Sequence, residues 1–385
     1  MINLIAFIYI ITIATGGLNL FGNPWLILPL LTSALTLVIV AAYKRFTVGV
    51  DDCIFFAFLM IVIISSLNNI NVKSLNYVLA WFIGFYLMLY KTPQCISKVI
   101  RYNLLIKFVG ISGIVFAFIS VIEQLMYFMF GYILFFSIPR FDYDHANYMS
   151  IFYRSYGFSN EPSNLANFLL LTLPFVFRSF GKLAAYFVIL GLIPTFSAGG
   201  FVLGCLGFIS SILIKLLKTK KRFITNSVTL LVWTPITLYL VSFAPIAEKI
   251  FNKIRLNPDN LSANLRFQRI LDALNIFNDY PVMGLGPGYW SASIGVSPNN
   301  IYLLVLTETG LLGMLAFLLF LMSISIFNKG NYLGVDPTRI YLIIVGLGFG
   351  LFSGVSYSLV GIIYLVIYNQ KNPEVKTCQN RTAKI

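Results

Sequence analysis

Residues 266–313 read RFQRILDALNIFNDYPVMGLGPGYWSASIGVSPNNIYLLVLTETGLLG. Arg266 and Arg269, three apart on one helix face, open a stretch whose apolar residues fall at helical spacing. Pro281 stops that helix because proline lacks the N–H that would continue it. Glycines at 284, 286 and 288 then allow backbone torsions that other residues resist. The pair Asn299-Asn300 leads into an apolar run with one carboxylate inside it, Glu308. A half-polar helix that turns into an almost wholly apolar one marks a passage from water into lipid.

The rest of the chain agrees. It has 385 residues, 58% of them hydrophobic and 10% charged, with a mean hydropathy of +0.86. Soluble domains carry about 25% charged residues. Apolar runs near the roughly 20 residues that cross a bilayer recur throughout, and strand-period alternation is absent. The expected fold is an all-α polytopic membrane protein, one transmembrane domain over 1–385. A net charge of +14 would suggest nucleic acid in a soluble chain; here membrane topology accounts for it, and no nucleic-acid partner is expected. Cys53, Cys95, Cys205 and Cys378 lack the spacing of a zinc site or disulfide framework. The N-terminal run lacks a basic flank and is read as a retained first helix.

Pro, Gly and charge place spans near 2–21, 24–43, 53–67, 75–90, 104–127, 163–178, 182–197, 199–217, 225–243, 299–327, 339–352 and 354–369. Twelve spans put both termini on one side. That side collects 19 of the 27 basic residues and 4 of the 13 acidic ones, which makes it the cytoplasm. Two long outer loops remain, 128–162 and 244–298. The second is basic, with Lys249, Lys253, Arg255, Arg266 and Arg269. It reads either as a solvated face over anionic headgroups or as a device for holding an anionic substrate. Its helix carries a stripe of Leu261, Leu265, Ile270, Leu271, Leu274 and Phe277, suited to lying on the membrane or covering a cavity.

Polar groups inside apolar spans are functional candidates by default. Glu308 is one, with a packing hydrogen bond or an ion pair to a loop arginine as the plainer reading; Glu123 is similar. Glu161 precedes Pro162, which suits the first turn of a helix, so it reads as a helix-start carboxylate or a reacting group. Arg154 would partner Glu161 or a phosphate, since a guanidinium binds phosphate oxygens through paired bonds. His145, the only histidine, lies in DYDHANY. Asp142, Asp144 and His145 match no metal motif, and no metal or other cofactor is expected.

Three short patterns resemble the bacterial O-antigen polymerase (Wzy-type) and O-antigen ligase superfamily. Arg154, Gly157 and Glu161-Pro162-Ser163 match its Arg-x-x-Gly and Glu-Pro-Ser pattern. Arg266, Ala273, Pro281 and Gly284-Leu285-Gly286 match its Arg, Ala, Pro and G-x-G series. Asn299-Asn300-Ile301-Tyr302-Leu303, Glu308 and Gly310 to Gly313 match its His-Asn-x-Tyr-Leu, Glu and Gly-x-x-Gly series, with Asn299 where ligase-type members carry histidine.

The resemblance implies a GT-C-like glycosyltransferase of the bacterial inner membrane with its site facing the periplasm. It would polymerise undecaprenyl-pyrophosphate-linked repeat units into O-antigen or a similar surface polysaccharide. Arg154, Glu161 and Arg266 are then the catalytic candidates. Arg269, Gly157, Asn299, Asn300, Tyr302, Glu308 and His145 are the substrate-binding ones. Implied partners are the lipid-linked donor and acceptor, the bilayer, a chain-length regulator and a flippase. Two alternatives stay open: a ligase that transfers glycan to lipid A-core, and a lipid-linked glycan flippase or transporter. A transporter would keep its polar groups near the bilayer midplane, whereas here they cluster in the outer loops.

Overall fold

The computed structural model describes residues 2–14, 24–43, 48–69, 72–132, 154–157, 159, 161–218, 261–295, 298, 300–325, 336–351 and 360–369. Within them the chain is helical, with no strand. The helices are α1 (Ile2–Ala14), α2 (Pro24–Tyr43), α3 (Val50–Ser66), α4 (Val72–Leu79), α5 (Thr92–Val99), α6 (Tyr102–Phe130), α7 (Pro162–Phe180), α8 (Lys182–Leu192), α9 (Ala198–Lys218), α10 (Leu261–Asp279), α11 (Ile301–Ser325), α12 (Pro337–Gly348) and α13 (Gly361–Asn369). A π-helical stretch, Ala80–Lys91, joins α4 to α5 without a break. Among the described residues, α6 and α11 are long and apolar enough to cross a membrane by length and composition.

Local chemistry sets the ends. The Asp52 carboxylate accepts the Gly49 N–H at 2.7 Å and starts α3. Pro162 opens α7 behind Glu161, whose backbone is extended. Asn300 Oδ1 accepts the N–H groups of Tyr302 and Leu303 at 2.9 and 3.1 Å and caps α11, so orphan donors of the first turn are met. Asp336 does the same for α12 through the Thr338 N–H.

Close packing relies on small residues, as expected where lipid removes the hydrophobic drive between helices. Gly113 of α6 meets Thr172 of α7, and Gly191 of α8 meets Ala117 of α6. Gly200 and Gly204 of α9 seat Ala166 and Leu170, Gly348 of α12 seats Leu203, and Gly346 meets Gly361. An aromatic core of Phe55, Phe58, Trp81, Phe85, Phe317 and Phe320 locks α3 and the π-helical stretch onto α11. Beside it, the Lys91 ammonium pairs with the Asp52 carboxylate at 2.7 Å, both residues 1% exposed, and the Tyr86 hydroxyl donates to the same carboxylate at 2.9 Å.

Outside 225–243 the expected spans overlap described helices, with two differences. The fourth is not confined to 75–90, because helical winding runs from Val72 to Val99. The tenth, expected as one helix over 299–327, is broken at Gly310 (φ 67°, ψ −167°). On α10, Leu265, Ile270, Leu271 and Leu274 of the expected stripe are exposed, and the buried Ala273 is not part of that stripe. The span at 225–243, most of the 128–162 loop and the basic residues Lys249, Lys253 and Arg255 lie outside the described residues.

Candidate active site

Two loop segments are fastened to the helices by two buried glutamates, one in each of the two apolar helices long enough to cross a membrane. On α6, Glu123 is 0% exposed. Its Oε2 accepts the backbone N–H groups of Tyr156 and Gly157, both at 2.9 Å. Gly157 takes φ +54°, a left-handed value that lets two successive N–H groups converge on one oxygen. The same loop is tied at Ser155, whose N–H donates to the Pro194 carbonyl and whose hydroxyl donates to that of Ser120, both at 2.9 Å. Arg154 is half-buried, and its Nε donates to the Thr195 carbonyl at 3.2 Å. Arg154 is thus held between α6 and the turn that follows α8.

The second loop is built into the break in α11. In an unbroken helix the Leu311 and Leu312 N–H groups would bond the carbonyls of Thr307 and Glu308. Gly310 prevents this, and the Pro281–Gly286 turn takes over both halves. The Leu285 and Gly286 N–H groups donate to the Thr307 and Glu308 carbonyls at 3.0 and 2.9 Å. The Leu311 and Leu312 N–H groups donate to the Pro281 and Val282 carbonyls at 2.8 and 3.4 Å. Four backbone groups that lipid could not satisfy are thereby paired.

Glu308, 2% exposed, completes this arrangement, its Oε1 accepting the Gly288 N–H at 3.0 Å. Trp290 donates from Nε1 to the Thr307 hydroxyl at 2.8 Å. From the other side, Asn68 Nδ2 donates to the Gly284 carbonyl at 3.0 Å, and Lys73 Nζ to that of Ser291 at 2.7 Å. The glycine turn is therefore wedged between α11 and the α3–α4 connection.

The candidate residues divide into three groups. Arg266 is exposed and Arg269 half-buried on α10. Residues seven apart differ by only about 20° around a helix, so Arg266 shares a face with Ala273, which is 0% exposed; α10 packs on α11. Glu161 is exposed at the head of α7 and accepts the Ser163 hydroxyl at 2.9 Å.

In the second group, the side chains bond to the protein's own backbone. Asn300 caps α11, the Tyr302 hydroxyl donates to the Leu347 carbonyl at 2.7 Å, and Glu308 anchors the turn. Each serves the protein's own backbone, because a broken helix leaves polar groups that must be answered from within. His145 and Asn299 form the third group and lie outside the described residues, as do Asp142 and Asp144.

Arg154 is bonded to the turn after α8, and Arg266 stands on α10, which packs on α11. Between these elements, close contacts run from Ala166 to Gly200, from Leu203 to Gly348, and from Gly350 to Ile301 and Tyr302. Sequence reading gave Glu123 little weight, although a carboxylate inside an apolar run was its signal. Lys73 went unnoticed because a lone lysine at a helix start carries no pattern.

Apolar helices with polar loops pinned at one end describe an integral membrane protein. Residues 183–318 match the family model described as O-Antigen ligase. The match covers about a third of the chain. It takes in α8, α9, α10, the glycine turn and the broken half of α11, and it supports a likeness to the O-antigen ligase and polymerase superfamily. Arg154, Gly157 and Glu161 fall outside it. No curated protein matches the chain.

Proposed function

We propose that this chain is a glycosyltransferase that polymerises undecaprenyl-pyrophosphate-linked oligosaccharide repeat units on the outer face of a bacterial inner membrane. The observation that carries the proposal is the family match over 183–318, which contains Arg266, Arg269 and the turn spliced into α11. In the reaction, the acceptor sugar hydroxyl forms a new bond to the donor's anomeric carbon. The bond from that carbon to the diphosphate oxygen breaks, and undecaprenyl pyrophosphate leaves with the electron pair. Negative charge grows on the diphosphate, and fixed guanidinium groups stabilise such charge best where water is excluded. Arg154, Arg266 and Arg269 take that role, meeting over one diphosphate. Glu161 orients the acceptor hydroxyl or receives its proton.

Holding two lipid-anchored substrates in one plane supplies much of the remaining acceleration. The buried Glu123 and Glu308 keep the two loops at fixed positions for this purpose. Asn299 stands where ligase-type members of the resembled family carry histidine, and asparagine cannot take a proton from an attacking hydroxyl, which favours polymerisation over ligation. The test is a reconstituted assay with defined lipid-pyrophosphate oligosaccharides, with and without lipid A-core, in EDTA. Chains that lengthen without core support polymerisation; product only with core makes the protein a ligase. Loss of activity in EDTA, restored by a divalent cation, overturns the metal-independent reaction.

A further inference from the structure

The outer end of α7 carries polar side chains down one face. Glu161 is exposed, Ser163 is half-buried and bonded to it, and Asn167 is 4% exposed. Ser163 and Asn167 are four apart and stack on the same face. From Glu161 to Asn167 the helix descends by about 9 Å. The neighbours of Asn167 show what this depth otherwise accepts: Leu165, Ala166, Leu169 and Leu171 are all 0% exposed. Yet Asn167 Oδ1 is buried there with no hydrogen-bond partner among the described residues. Ser159 Oγ, two residues before Glu161 and 1% exposed, is likewise without one.

Leaving a buried acceptor unmet costs about 1–3 kcal/mol, and a leucine at position 167 would avoid that cost. A donor beyond the described residues would answer Oδ1. A diphosphate does not, because it brings acceptor oxygens and no donor. A sugar hydroxyl supplies the O–H donor that Oδ1 lacks. We infer that Asn167 Oδ1 forms a subsite for a hydroxyl of the lipid-linked glycan, below Glu161 on the same helix. The inference rests on the glycan-transfer reading above and adds which part of the substrate enters the head of α7: the sugar, with the diphosphate left to the arginines.

The test compares wild-type protein with Asn167→Leu and Asn167→Ala in lipid nanodiscs. Thermal midpoints are measured without ligand, with undecaprenyl pyrophosphate, and with the undecaprenyl-pyrophosphate-linked repeat unit isolated from cells lacking this protein. The expected ligand-free midpoint of Asn167→Leu equals or exceeds that of the wild type. Undecaprenyl pyrophosphate raises all three proteins equally, and the additional rise caused by the sugar is lost in both variants. Should Asn167→Leu fail to fold, Asn167→Ala gives the same reading. A sugar-dependent rise that persists in a variant, or is missing from the wild type, overturns the subsite. Wild-type protein that shows the sugar-dependent rise but builds no polymer overturns the proposed reaction and leaves the subsite standing.

Discussion

Replacing Gly284 by alanine tests whether the glycine turn is a structural member of the broken helix. Gly284 has φ +67°, and a side chain there costs about 1 kcal/mol in backbone strain. An added Cβ would also lie 2.5 Å from the Glu308 carbonyl carbon and 2.6 Å from Thr307 O and Thr309 N. All three are backbone atoms, so no rotamer change relieves the overlap, and overpacking of this kind costs about 1–3 kcal/mol. If the turn withdraws instead, the bonds from Leu285 and Gly286 to α11 are lost at about 1 kcal/mol each. Either route destabilises the protein by roughly 2–4 kcal/mol.

Gly295→Ala is the matched control. Gly295 has φ +82° but nothing within 4 Å of the added atom, so only the strain of about 1 kcal/mol applies. In thermal unfolding of detergent-solubilised protein, Gly284→Ala should melt several degrees below Gly295→Ala, and polymer length in cells should fall with it. Equal midpoints for the two variants would refute the claim that the turn is wedged against α11.

Arg266→Ala is expected to abolish chain elongation at normal protein abundance, and Arg266→Lys to rescue poorly, because an ammonium lacks the fork that grips diphosphate; long surface chains in an Arg266→Ala strain would remove it from the mechanism. Glu123→Leu removes the acceptor for two backbone N–H groups, a loss of about 2 kcal/mol or more, and should expose the Tyr156–Gly157 loop to protease, which limited proteolysis reads directly. Lys91→Met leaves Asp52 charged and buried, so expression should fall by the several kcal/mol typical of a broken buried pair. Adding Asp52→Leu should recover much of it, and a double variant as unstable as Lys91→Met would show that the pair is not what matters there.

Sequence sufficed for the helical class and most of the described helix positions. These follow from local quantities: apolar run length and the halt imposed by Pro162 and Pro281. The break in α11 was not legible, although Gly310 stood in plain view. Glycine permits a break without requiring one, and a helical glycine packs equally well, as Gly200 and Gly204 do. Only when Pro281–Gly286 arrived to take the bonds of residues 307 to 312 did the break become the stable arrangement. Glu308 was visible as an intramembrane carboxylate, but its partner, the Gly288 N–H, lay 20 residues away.

The sequence by itself determined an apolar helical protein interrupted by polar segments, because burial in a bilayer is written in composition and period. Tertiary structure alone decided that Glu123 and Glu308 anchor those segments. It also turned Asn300 and Tyr302 toward the protein's own backbone and left Asn167 Oδ1 without a partner among the described residues. Hydrogen bonds join groups that meet in space, and their separation along the chain carries no period from which the meeting could be read.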